Sequence, residues 1–143
     1  MAVRFFYQQT RFRLKPAKVY KAFIANQFSA TSKKELQLRY IFCSDDELLQ
    51  INRDFLQHDY YTDIITFPLE ETEEKLEAEL YISIDRVKDN AAQHQTTFQE
   101  ELLRVMCHGV LHLLGYGDKT PQQQAAMRKA EDEWITAFKN WTS

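Results

Sequence analysis

Hydrophobic positions alternate in some stretches of the chain and recur every three or four residues in others, and the changes of period mark its elements. Val3 to Tyr7 reads as a short strand. Pro16 is placed to open a helix through Phe28, whose apolar face is Val19, Tyr20, Phe23, Ile24 and Ala25. From Leu36 to Phe42 the residues Leu36, Leu38, Tyr40 and Phe42 share one face, a strand pattern. Ser44, with Glu47 three residues on, has the form of a capping box and predicts a helix to about Leu56. Asp63 to Leu69 and Ala78 to Ile84 are rich in strand-forming residues, and the acidic run Glu70 to Glu77 between them is expected to be a solvated loop. Helices are predicted over about Asp85 to His94, from about Thr97 onward, and from Pro121 to about Phe138. The last would pack through Ala126, Ala130, Trp134 and Phe138.

The helix after Thr97 is apolar on nearly every side, with Leu102, Leu103, Val105, Met106, Val110, Leu111, Leu113 and Leu114, so it is expected to be central and buried. Four strands with helices around them predict an α+β fold, a small mixed four-stranded sheet packed with helices, in one domain over residues 1–143.

Composition fits such a domain. Hydrophobic residues make up 44% of the chain and charged residues 27%, and no apolar run approaches the ~20 residues of a membrane span. With no signal-peptide pattern at Met1 to Thr10, a cytoplasmic location is expected. The only cysteines, Cys43 and Cys107, sit in apolar surroundings expected of reduced, buried thiols.

The net charge of −3 conceals a split. Residues 1–40 hold nine Lys or Arg against Glu35 alone, and the remainder holds nine against twenty Asp or Glu. A surface facing a polyanion would show this asymmetry, and so would a solvated helix kept soluble by lysines; charge alone does not choose between them.

The chemistry concentrates in one place. All three glycines and two of the four histidines fall between His108 and Asp118. Residues four apart on a helix differ by about 40° in direction and about 6 Å in rise, so His108 and His112 would aim their imidazoles at a common point. Gly115 as a left-handed cap and Gly117 as a second permissive point would let the chain turn back and bring Asp118 to the same ion. Two histidines, one carboxylate and an open position are the donor set of a catalytic zinc, whose bound water has a pKa of about 7. The same set occurs in non-haem iron oxygenases, but no cosubstrate site is apparent here. The spacing His-x-x-x-His-x-x-Gly-x-x-Asp also matches the metzincin proteases, with Asp for the third His. Those enzymes carry a glutamate base directly after the first histidine, and here that residue is Gly109. Peptide hydrolysis is therefore disfavoured and phosphodiester cleavage suits the site better.

These residues, together with Asn52, Asp59, the run Thr62-Asp63-Ile64-Ile65-Thr66-Phe67-Pro68 and Ile82-Ser83, resemble the YbeY endoribonuclease family of rRNA maturation factors. The likeness extends from about Leu48 to Trp134, and His-Gly-x-Leu-His-Leu-x-Gly is its most specific part. The resemblance implies a zincin-like α+β fold with a central metal-binding helix and one zinc ion. It further implies single-strand-specific RNA cleavage in maturation of the 3′ end of small-subunit (16S) rRNA and in ribosome quality control. The partners it implies are an rRNA precursor, a small-subunit ribosomal protein and an Era-type GTPase.

On this reading the metal ligands are His108, His112 and Asp118, with the two histidines acting in catalysis through the water they help to hold. Two positions depart from the family pattern. Asp118 stands where a third histidine is usual, and Leu56 stands where the family has an arginine thought to contact RNA phosphate. Arg53, one helical turn before Leu56, is the first candidate to replace it, with His58 and Lys119 as further phosphate contacts. Tyr60 and Tyr61 are candidates for stacking on unpaired bases. Two other classes compete with the nuclease: a ribosome-assembly binding factor braced by a structural metal and, less favoured, a metalloprotease.

Overall fold

The computed structural model describes residues 1–142. The chain runs β1 (Ala2–Gln8), α1 (Ala17–Thr31), β2 (Glu35–Cys43), α2 (Asp45–Leu56), β3 (Ile64–Glu71), β4 (Lys75–Ser83), α3 (Ile84–Gln93), α4 (Phe98–Leu113) and α5 (Pro121–Trp141). The sheet order is β1-β2-β4-β3, with β1 and β4 parallel to β2 and β3 antiparallel to β4. The result is the mixed four-stranded α+β arrangement that the periodicities predict.

The alternation in β2 does what a half-covered strand requires. Leu36, Leu38, Tyr40 and Phe42 are buried, as are Leu76, Ala78, Leu80 and Ile82 opposite them on β4. Onto these pack Tyr20, Phe23, Ile24 and Phe28 of α1, the apolar face of α4, and Met127, Ala130, Trp134 and Ile135 of α5. Tyr40 is fully buried, and its hydroxyl donates to the Met106 carbonyl at 2.9 Å, tying the sheet to α4. On the opposite face α2 covers a smaller cluster of Cys43, Leu48 and Ile65. Both thiols are free and buried; burial pushes Cys43 up to about 12 and Cys107 higher still, so both stay protonated and inert.

Three local expectations change. Most of the acidic run is strand, because β3 reaches Glu71, β4 starts at Lys75, and only Thr72 to Glu74 turn. Cations within and beside the sheet offset the repulsion: Arg39 donates to Glu77 and Glu79 at 3.0 Å each, and Lys34 reaches Glu71 at 2.6 Å. The stripe of α5 is rotated from the expected one, with Met127 buried and Ala126 exposed, since 3.6 residues per turn carry the face from Ala130 back to Met127. Pro16 is the residue before α1 rather than its first, and the helix continues past Phe28 to Thr31.

Caps end the helices as their residues suggest. Ser44 accepts from the Glu47 N–H at 3.2 Å, Thr97 accepts from Glu100 N–H at 3.1 Å, and Thr120 with Gln123 makes a reciprocal capping box on α5.

Of the three glycines, Gly109 makes the tightest approach. A Cβ there would lie 2.2 Å from Leu80 Cδ2 and 2.8 Å from Ile64 Cδ1, so α4 rests on β3 and β4 at a separation only glycine allows. Leu80 is fully buried and has little room to yield. Gly109→Ala should lower stability by about 1–3 kcal/mol, the usual cost of overpacking. Urea unfolding checks this, with the expected result a lower midpoint at unchanged slope.

A histidine and carboxylate cleft at the end of α4

Because Gly109 seats α4 on the sheet, the residue before it, His108, emerges beside the start of β3. One turn later His112 leaves the same side of the helix. The two rings are nearly parallel, 8° apart, with centroids separated by 6.5 Å.

The turn after α4 is built by Gly115. It has φ +110°, and around it the Tyr116 N–H reaches the Leu111 carbonyl at 3.0 Å while its own N–H reaches that of His112 at 3.0 Å. This paired closure needs a residue free to adopt positive φ. Gly117 has a different constraint, since a Cβ there would come within 2.7 Å of the Gln123 side chain that caps α5. The turn brings Asp118 Oδ2 to 3.4 Å from His108 Nε2.

Each histidine is held by its other nitrogen. His108 Nδ1 lies 2.7 Å from Glu131 Oε2, and His112 Nδ1 lies 2.9 Å from the Tyr116 carbonyl. With Nδ1–H donating in both, the two Nε2 atoms are left as donors for a metal, the outer-shell support typical of histidine ligands. The hydrogen bond that His108 donates to Glu131 raises the His108 pKa, outweighing the burial that would lower it. Glu131 is itself buried and also accepts from Arg104 at 3.0 Å, while Arg104 pairs with Asp132 at 2.8 Å.

His108, His112 and Asp118 line one cleft of about 440 Å³ with Asn52, Leu56, His58, Tyr60, Thr62, Asp63 and Thr66. A second cavity of about 310 Å³ adjoins it through Asp63, Ile64, His108 and Asp118. Burial pushes the Asp63 carboxyl up, and Asn90 donates to it at 3.3 Å. Buried Asn52 shapes the cleft's outer wall: its carbonyl accepts from the His58 N–H at 3.1 Å and its amide donates to the Tyr60 carbonyl at 2.9 Å. The His58 and Tyr60 rings then stack 5.1 Å apart.

Among the described residues, no three His, Cys, Asp or Glu side chains stand close enough together to hold a metal as they are placed. The fold brings His108 and Asp118 together and puts His112 on the same cleft one turn away. The chemistry of the donors nevertheless suits zinc: two oriented imidazoles, a carboxylate and open space before them. Of the candidate phosphate contacts only His58 lines the cleft, beside Leu56, which holds the place of the family's arginine. Arg53 is on the exposed side of α2, paired with Asp59, and Lys119 lies in the loop after Asp118 with its N–H on Gln123 at 3.0 Å; neither lines the cleft. Tyr61 points to Asp46 and lies under Arg86.

Residue patterns do not single out Glu131, Asp63 or Asn90 as members of the site. For Glu131 a signal exists, an acid four residues after Met127 on the buried stripe of α5, where a charge requires a partner. Asp63 and Asn90 carry no such mark, because only the pairing of β3 with β4 and the packing of α3 bring them to His108.

A family model described as Endoribonuclease YbeY matches residues 7–139. Curated relatives named Endoribonuclease YbeY include one from Cytophaga hutchinsonii, 51% identical over 139 residues and covering 94% of each chain. Another, from Amoebophilus asiaticus, is 43% identical over 135 residues, covering 94% of this chain and 92% of the relative. Among solved structures, the solution structure of TM1509 from Thermotoga maritima matches with a TM-score of 0.61 and 26% identity, covering 94% of this chain and 88% of that one.

The shared acceptor predicts that Glu131→Ala leaves Arg104 and His108 each short of a partner beside the core. The expected loss is about 3 kcal/mol, read as a lower urea midpoint.

Proposed function

The chain belongs to the YbeY endoribonuclease family, and on that premise we propose that it is a zinc-dependent endoribonuclease that cuts single-stranded RNA at the cleft beside His108. The observation that carries this reading is the orientation of both histidines by their Nδ1 atoms toward the cleft that Asp118 also lines. His108, His112 and Asp118 would hold the metal. The chemistry such an ion supplies is Lewis-acid polarisation of the scissile phosphate and activation of water.

The chain's own residues do the rest. Glu131 and the Tyr116 carbonyl fix the imidazoles so that neither ring rotates away, and the Arg104 bond fixes Glu131 in turn. His58 and Tyr60 present a stacked aromatic wall on which an unpaired base can lie. Arg53 is the nearest guanidinium to Leu56 along α2. Its pair with Asp59 is exposed and screened by solvent, so an RNA phosphate can compete for it. Lys119 adds charge at the loop beyond Asp118. The proposed setting is the cytoplasm, in 3′-end maturation of small-subunit rRNA and ribosome quality control, with a small-subunit ribosomal protein and an Era-type GTPase as partners. Among the described residues no helix is long and apolar enough to cross a membrane.

The geometry at Gly109 bears on peptide hydrolysis. The position that carries a glutamate base in zinc proteases is filled here by Leu80 and Ile64, so no acidic side chain fits there without moving the core.

Purified protein should contain one zinc and cleave single-stranded RNA, and His108→Ala, His112→Ala or Asp118→Ala should lose both. Zinc content unchanged by Asp118→Ala would refute that ligand. Cleavage by a His108→Ala protein equal to wild type would favour an assembly factor whose metal only braces the fold. Glu131→Gln, which keeps the volume but weakens the support of His108, should reduce zinc affinity by about 10–100-fold, measured by competition with a chelating dye.

A further inference from the structure

We propose that the β1–α1 unit is a second RNA-docking surface, separate from the cleft, which binds the phosphate backbone of the same single strand. The inference rests on the nuclease reading and extends it from the cutting site to the path of the substrate.

The first 34 residues contain eight Lys or Arg and no Asp or Glu. The structure sorts most of the cations of this basic region into two groups, with Arg4 on β1 and Lys33 after α1 in neither. Lys34, and Arg39 beyond it, are consumed by the acidic hairpin of β3 and β4, as their bonds to Glu71, Glu77 and Glu79 show. Arg11, Arg13, Lys15, Lys18 and Lys21 make no carboxylate contact with any described residue. They also occupy one place. Phe5 and Tyr7 are two apart on β1 and so on the same face, roughly 7 Å from each other. Lys21 Nζ lies over the Phe5 ring at 5.2 Å, and the Arg13 guanidinium lies over the Tyr7 ring at 4.5 Å. Lys18 is one turn before Lys21 on α1, Lys15 stands at the start of the helix, and Arg11 is in the same loop as Arg13. Five cations with no carboxylate partner among the described residues, two of them steadied on aromatic faces, make a local field that net charge conceals.

Strand register places this surface relative to the cleft. Tyr7 pairs with Phe42, Phe42 with Ile82, and Ile82 with Ile64, which lines the cleft. The basic loop therefore follows β1 at the same end of the sheet, three inter-strand steps or roughly 15 Å away. A strand seated at His108 reaches it within a few nucleotides. The acidic hairpin turn at Thr72 to Glu74 is at the other end of the sheet, where phosphates would be repelled.

The test is a triple variant, Arg11→Ala with Lys15→Ala and Lys18→Ala, three exposed side chains whose loss leaves the core intact. Zinc-loaded protein is titrated with fluorescent single-stranded RNA of about 16 and about 4 nucleotides, spanning common single-strand site sizes, with the RNA checked on a gel afterwards. The long RNA should bind about tenfold or more weakly, and its log affinity against log salt should flatten by about 2, at roughly 0.7 for each phosphate no longer neutralised. The short RNA should bind as it does to wild type. A control triple, Lys75→Ala with Lys88→Ala and Lys129→Ala, removes the same charge away from the cleft and should leave long-RNA affinity within twofold. Unchanged binding of the long RNA overturns the proposal and leaves an acidic protein as the occupant of the surface. An equal loss in the control overturns it in favour of diffuse net charge. Failure of the nuclease reading looks different: wild-type protein then binds RNA and leaves it uncut.

Discussion

The approach of α4 to the sheet at Gly109 is the contact on which the site depends. A helix normally stands off a sheet by the length of the side chains between them, and here one position has none. The chain gains close packing against Leu80 and Ile64, and the helix is rolled so that Met106, Cys107 and Val110 face the core while His108 emerges at the lip of β3. This roll brings the imidazole of His108 into a cavity wall shared with Asp63. The same packing that creates the site also removes one residue from its chemistry, because the place of a zinc-protease base is inside the core. On the proposed reading, the chemistry would then fall to a bound ion, the histidines and the substrate-facing wall.

A second dependence couples that site to the C-terminal helix. Glu131 is a buried acid on the packing face of α5, and what makes its burial tolerable is that it accepts from Arg104 and His108 at once. Docking of α5 on α4 and orientation of His108 are therefore one event. The Thr120–Gln123 box begins α5 directly after the loop that carries Asp118, and Gln123 bonds the backbone of Lys119 and Thr120 in that loop. Each side of the site is thus braced by the same helix, from its first turn and from its middle.

How far the sequence reveals this varies with the range of the interaction. Strand β2 is readable because Leu36, Leu38, Tyr40 and Phe42 alternate locally, and α2 because Ser44 and Glu47 sit at fixed spacing. The His108 to Asp118 turn is readable for the same reason, since i and i+4 geometry and a left-handed glycine are local facts. Glu70 to Glu77 reads as a loop and folds as strand because the compensation comes from Arg39 and Lys34, distant in sequence and adjacent only through the register of β2 with β4. Glu131, Asp63 and Asn90 belong to the same class: their partners lie across elements, and no spacing within the chain announces them. The sequence shows that the zinc-base position lacks its glutamate, but the reason, two core side chains where it would stand, exists only in three dimensions.

The uneven charge of the chain acquires a reason from the same topology. Acidic residues on β3 and β4 neutralise Lys34, Arg39 and Lys75, and the sheet order keeps β1 away from that hairpin by placing β2 between β1 and β4. Glu77 and Glu79 stand level with Ala2 and Arg4, so the end of β1 that leads into the basic loop lies four or more residues, roughly 13 Å, further along the sheet. That offset, added to the intervening strand, exceeds the distance over which exposed charges interact, about 8–10 Å at ordinary salt, so the two fields remain distinct. The cleft lies toward the hairpin side of the sheet, yet its strand ends open at the end where the basic loop stands. An anionic strand approaching the molecule therefore meets attraction on one flank and repulsion along the other, which orients it across the mouth of the cleft rather than along the hairpin.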